Sequence, residues 1–155
     1  MGTTEILYWL QQTALAQAVT KSSFWVGAGL QIVHIFGILL MLGSVLLVSL
    51  RLLGLVLREQ PVSKVARMVT HFTWIGLGLL VSSGLLMFIT MPLRYAQNGP
   101  FLFKMVFFVA GVLLQVLVFR RVARQEEPRP VLARTTALAT VAVWMTVAWA
   151  GRFIG

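Results

Sequence analysis

From Phe24 to Leu50 the chain reads FWVGAGLQIVHIFGILLMLGSVLLVSL, a run without a single Asp, Glu, Lys or Arg. It exceeds the roughly 20 apolar residues that a helix needs to cross a bilayer. In hydrocarbon every backbone N–H and C=O must be paired within the segment, so helix is the conformation this run must take. Three further apolar runs follow, at about 70–91, 101–119 and 135–151, the first of them ending at Pro92. Hydrophobic residues make up 59% of the 155 and charged ones 11%, which makes lipid the main solvent and leaves no length for a separate soluble catalytic domain. The expected fold is all-α and integral to the membrane. It is a bundle of four transmembrane helices over residues 23–155, preceded by a short interfacial helix within residues 1–22.

The first 22 residues are too polar to span, but Ile6, Leu7, Trp9, Leu10, Ala14 and Leu15 give them an apolar side, and Tyr8 and Trp9 suit the headgroup level. They lack the basic start and continuous apolar core of a secretory signal, so this segment is read as retained. Pro61 and Ser63 mark a turn into the second spanning helix, Tyr95 to Pro100 its exit loop. Gly76, Gly78, Ser82, Ser83 and Gly84 supply that helix with small residues for close packing.

The formal net charge of +9 would suggest a nucleic-acid partner in a soluble protein. Position argues otherwise. The two long loops and their flanks hold Arg51, Arg58, Lys64, Arg67, Arg120, Arg121, Arg124, Arg129 and Arg134, nine cations, against Lys21, Arg94, Lys104 and Arg152, four, at the other end. By the positive-inside rule the long loops are cytoplasmic and both termini lie outside, on the periplasmic face of a bacterial-type inner membrane. The basic excess is then a cytoplasmic fringe at the lipid headgroups, with no nucleic acid implied.

With no cysteine in the chain, disulfides, iron–sulfur clusters and thiolate metal sites are excluded within it. No Gly-rich phosphate loop, HExxH or nucleophile elbow occurs, and all four acids, Glu5, Glu59, Glu126 and Glu127, fall outside the apolar runs, so a buried proton-coupling carboxylate is missing. Two histidines invite a haem held from both sides, but His34 lies 27 residues before Pro61 and His71 only 10 after it. At 1.5 Å per residue they stand roughly 25 Å apart in depth, too far to share one iron. His71 sits near the cytoplasmic boundary, where imidazole is readily solvated.

His34 lies near the middle of its helix, where a polar side chain must face the bundle interior and find a partner. Gln31 is one turn before it and Gly37 one turn after, leaving space beside the imidazole, while Ser82, Ser83, Gly84 and Gly111 lie at comparable depth on other helices. Two readings remain open: a haem ligand in a cofactor-sized cavity, or a histidine bonded to a neighbouring serine or carbonyl as packing glue. Lys104 and Arg152 are on the same half of the membrane as His34. They either snorkel to phosphates or pair with haem propionates or an anionic substrate. The methionines scatter in depth and read as core filler rather than copper ligands.

The strings HIFGILLMLGSVLLVSLRLLGL, PLRYAQNGPFLFKM and WAGRFIG resemble a family of small bacterial four-helix inner-membrane proteins catalogued as a domain of unknown function, over nearly the whole chain. The resemblance implies family positions at His34, Arg51 to Gly54, Tyr95, Asn98, Phe101, Lys104, Gly151 and Arg152. The chain departs from the pattern at Gln31 and Ser49, where such relatives carry acidic residues, which weakens the case for a charge-paired His34. A helix-1 histidine with a helix-3 lysine is also similar to the small haem-associated membrane protoporphyrinogen oxidases.

The resulting expectation is a membrane-bound b-type haem protein with an electron-transfer or redox role. His34 is the metal ligand, and Lys104, Arg152 and Gln31 are the other cofactor-binding residues. Electrons would pass to a membrane quinone or a redox partner protein, and a homodimer could bring two copies of His34 together across a two-fold axis. The alternatives are a non-catalytic membrane subunit or scaffold, and an oligomeric small-molecule permease.

Overall fold

A computed structural model describes residues 2–154. Two short helices, α1 (Thr3–Gln11) and α2 (Ala14–Lys21), precede the long helices α3 (Phe24–Leu52) and α4 (Val62–Thr90). A one-turn helix, α5 (Pro92–Ala96), leads into α6 (Gly99–Ala123) and the last helix α7 (Pro130–Gly151). The four long helices are each long and apolar enough to span a bilayer. Their outward faces carry large exposed apolar residues, among them Ile32, Ile35, Phe36 and Leu39 on α3 and Val106, Val109 and Leu113 on α6. Water would not tolerate that surface, whereas lipid is its natural solvent.

The N-terminal segment differs in detail from one interfacial helix. Its break falls at Gln12 and Thr13, because the Thr13 hydroxyl does two jobs: it donates to the Leu10 carbonyl (2.8 Å) and accepts from the Ala16 N–H (3.3 Å), capping α2. α1 lies against α5 and α4, α2 lies against α4, and Ala16 is fully buried. The spanning helices also run longer than the apolar runs. α4 begins at Val62 because Val62, Ser63 and Val65 are buried while Lys64 and Arg67 keep their charges exposed, an amphipathic start that a purely apolar criterion passes over.

Two hairpins make the bundle. In the first, α3 and α4 touch backbone to backbone: a Cβ added to Gly37 would sit 2.8 Å from the Gly76 carbonyl oxygen, and one added to Gly76 only 2.6 Å from the Met41 nitrogen. Only glycines permit that approach. At the end of α3, Gly54 takes a positive φ of 72°, and Arg51 donates from Nε to the Gln60 carbonyl (2.7 Å), fastening the loop. In the second hairpin α6 packs on α7, where Gly111 receives the Trp144 ring. α3 also packs on α7, but α4 and α6 do not pack along their length. That side of the bundle is bridged at its ends. Phe88 stacks on Phe101 (5.6 Å, 10°) at the end bearing the termini, and the Arg120 guanidinium lies 5.9 Å from the Trp74 ring centre at the end bearing the two loops.

The hydrophobic core is uneven in depth. Met41, Val45, Val48 and Leu52 of α3 meet Val62 and Val65 of α4, Phe119, Val122 and Ala123 of α6, and Ala133 and Ala137 of α7, so most of it lies toward the loop end, while Trp144 and Val147 carry it further along α7. Toward the terminal end a cavity opens between α4 and α6.

Candidate functional site

The cavity at the terminal end has a volume of about 480 Å³ and lies between α4 and α6, with α3 and the end of α7 behind it. Its walls are mainly apolar: Leu80, Leu85, Met87, Phe88, Phe101, Met105 and Phe108 contribute, and Tyr95 stands over Phe101 at 5.2 Å between ring centres. The sequence builds this local geometry in one stretch. Pro92 starts α5, which brings Tyr95 over the cavity, and the Asn98 side chain accepts from the Phe101 N–H (2.9 Å), capping α6 and aiming its first turns. Lys104 follows Phe101 by three residues and lines the same cavity. It makes no hydrogen bond or ion pair among the described residues, and its Nζ lies against Gly151, 3.6 Å from where a Cβ would be.

His34 enters the cavity from α3. Its Nδ1 lies 2.9 Å from the Ser83 hydroxyl oxygen on α4. The Ser83 hydroxyl already has the Leu79 carbonyl at 2.5 Å to donate to, which favours the histidine as donor and the serine as acceptor in the bond between them. In that arrangement the ring is the Nδ1–H tautomer, with the Leu80 backbone a further partner of the imidazole, and Nε2 carries the lone pair. Beside the ring is Gly84, where a Cβ would fall 3.2 Å from His34 Cε1. The space beside the imidazole is therefore provided by Gly84 rather than by Gly37, whose hydrogen side is spent on Gly76, or by Gly111, which faces Trp144.

Of the four residues singled out from the sequence, His34 and Lys104 are brought together. Gln31 and Arg152 are exposed and do not line the cavity; Gly151 and Ile154 line it at the chain end instead. His71 lies in the other half of the bundle, exposed, with its ring tilted at 43° against Phe72. Ser83 is twelve residues beyond it, which is roughly 18 Å along the helix, so no cavity is shared with His34. Of the aromatic wall, Tyr95 and Phe101 figure in the sequence reading only as family positions, without a role, and Phe88 not at all. The signal was present in the closeness of two aromatic side chains and a lysine around the Asn-Gly-Pro helix start. Among the described residues no three His or carboxylate side chains converge, so a metal ion here would draw most of its ligands from something other than the chain.

An α-helical membrane bundle with a mainly apolar cavity in its terminal half, into which His34 and Lys104 bring the polar groups, is thus the class of protein that fold and site define. Residues 7–155 match the family of unknown function DUF6644, and the chain belongs to that family. No curated protein and no solved structure matches it.

Proposed function

We propose that this protein is a membrane b-type haem protein with an electron-transfer role, and that His34 is the axial ligand. The observation that carries the proposal is the Ser83 bond to His34 Nδ1, which leaves Nε2 as a lone-pair donor beside a cavity of cofactor size. Metal-binding histidines are characteristically oriented in this way by a hydrogen bond at the other ring nitrogen. The rest of the cavity suits an amphiphilic, flat, anionic group: aromatic side chains supply faces for a macrocycle, and the unpaired Lys104 supplies a cation for a propionate. A bound haem would contribute a one-electron couple, its iron tuned by a single strong protein ligand and an apolar surround. The chain's part is to hold the imidazole in one tautomer, to neutralise an anionic edge and to exclude water.

The unpacked side between α4 and α6 gives a hydrophobic partner such as a membrane quinone a lateral way in. The excess of cations at the loop end supports an orientation with that end in the cytoplasm and the cavity in the periplasmic half of a bacterial inner membrane. The same Ser83 bond is what a purely structural histidine would make, and one experiment separates the two readings. Protein purified in mild detergent from haem-supplied cells is expected to show a Soret band that shifts on dithionite reduction and is lost in His34→Ala. A colourless wild-type protein would sink the haem reading and leave His34 as a tie between α3 and α4.

A further inference from the structure

A second cavity, about 580 Å³, opens at the loop end between the other halves of α4 and α6. It differs from the first in chemistry. Arg67 comes from α4 and Arg120 and Arg124 from α6 and its end, with Glu126 at the rim. Three positive charges against one negative leave a surplus of two. None of the three guanidiniums makes an ion pair or hydrogen bond among the described residues, Glu126 included. Arg120 is nevertheless held, because its guanidinium lies over the Trp74 ring. Beneath the arginines the wall is polar: Ser44, Ser63, Thr73 and Gln115 line it and are all buried. Gln115 is only 8% exposed and its Oε1 has no partner. It stands at the start of a five-residue π-helical turn, Gln115–Phe119, which brings both Gln115 and Phe119 to the inside before Arg120 emerges.

A fringe that merely touches headgroups requires neither a concave wall nor a buried polar floor. We infer that the loop-end cavity between α4 and α6 is a binding site for a phosphate-bearing anion, held by Arg67, Arg120 and Arg124 over the Gln115 floor. Guanidinium forks match phosphate oxygens two at a time, and three unpaired ones around one cavity offer more donors than a carboxylate could use. Below them Ser44 and Thr73, which already donate to the Leu40 and Val69 carbonyls, and Gln115 Oε1 can accept from a ligand hydroxyl, while Ser63 and the Gln115 amide nitrogen can donate to an ester oxygen. Two sources carry this chemistry, a phospholipid headgroup from the adjoining leaflet and a free phosphate compound from solution. The site is independent of His34 and of whether haem is bound.

Trp74 makes the site observable, since a ligand that engages Arg120 alters the cation beside the indole. The test is a fluorescence titration of the full-length protein in a phosphate-free maltoside detergent, with the Trp74→Phe protein subtracted. One arm adds inorganic phosphate against chloride at matched ionic strength, the other adds phosphatidylglycerol. A saturable Trp74 response is expected in at least one arm, weakened about tenfold or more in both Arg120→Gln and Arg67→Gln. Arg121→Gln removes a cation from the same helix end outside the cavity wall and should leave the response unchanged. A response to inorganic phosphate identifies a free ligand, and a response to the lipid alone identifies a headgroup. No saturable response in either arm, or equal weakening by Arg121→Gln, would overturn the assignment.

Discussion

Gly76→Ala tests the contact on which the first hairpin and the candidate site both depend. The added methyl would lie 2.6 Å from the Met41 nitrogen, 2.7 Å from the Gly37 carbonyl oxygen and 3.0 Å from Leu40 Cβ. Two of these are backbone atoms of α3, so no side chain can rotate out of the way. Ordinary contact begins at 3.4 Å, and reaching it from 2.6 Å requires α3 and α4 to part by roughly 0.8 Å. A gap of that size forfeits a quarter to a half of the dispersion energy of each contact along the seam, and overpacking of this kind costs about 2–3 kcal/mol. The same parting would stretch the 2.9 Å bond from His34 to Ser83, two turns further along the seam, past the hydrogen-bonding range. Reversible unfolding in mixed micelles, with Gly78→Ala as control, reads the effect. A Cβ at Gly78 meets nothing within 4 Å, so that variant should be neutral or slightly more stable. If Gly76→Ala unfolds together with wild type and Gly78→Ala, the backbone contact between α3 and α4 is refuted.

Ser83→Ala keeps His34 but removes the group that fixes its tautomer, so haem should be retained about ten- to hundredfold less tightly and its midpoint potential should move; unchanged affinity and potential would mean that the serine does not position the ligand. Thr140→Val removes a fully buried hydroxyl that has no partner while keeping the side-chain shape, and it should stabilise the protein by about 1 kcal/mol in the same unfolding assay. A loss of stability of that size would show instead that the hydroxyl is hydrogen-bonded in the membrane.

The existence of the four spanning helices was legible because charge-free runs of this length admit one conformation in hydrocarbon. The placing of Ser83 near His34 was legible too, by counting residues from the turn at Pro61. Rotation about each helix axis was not. Where a helix is apolar all round, as α3 is between Phe24 and Leu50, the pattern does not say which face meets protein and which meets lipid. Gly37 was accordingly given to the imidazole when it belongs to Gly76, and Gly84 received no special part although it borders the ring. At the chain end the same uncertainty acts at a single residue. Arg152 follows Gly151 by one position, about 100° around the helix, which separates a residue on the cavity wall from an exposed one. The loop-end cavity escaped sequence reasoning for another reason: its arginines were fully accounted for by topology, and nothing in the letters says that Gln115 begins a π turn.

Both cavities lie where α4 and α6 fail to pack, and the reason is found in the distribution of small residues. α3 and α4 close on each other through Gly37 and Gly76, and α6 and α7 through Gly111 against Trp144. No comparable glycine pair joins α4 to α6 among the described residues, and the side chains they turn toward each other are large: Phe88 to Phe101 at one end, Trp74 to Arg120 at the other. In water such a gap would collapse, because burying its apolar walls would repay the distortion. Between helices already solvated by lipid that force is absent, and bulky contacts at the two ends hold the middle apart at little cost. A bundle of this kind can therefore keep one side open, and the residues that chemistry would use, His34 and Lys104 at one end and the three arginines at the other, are set along that side.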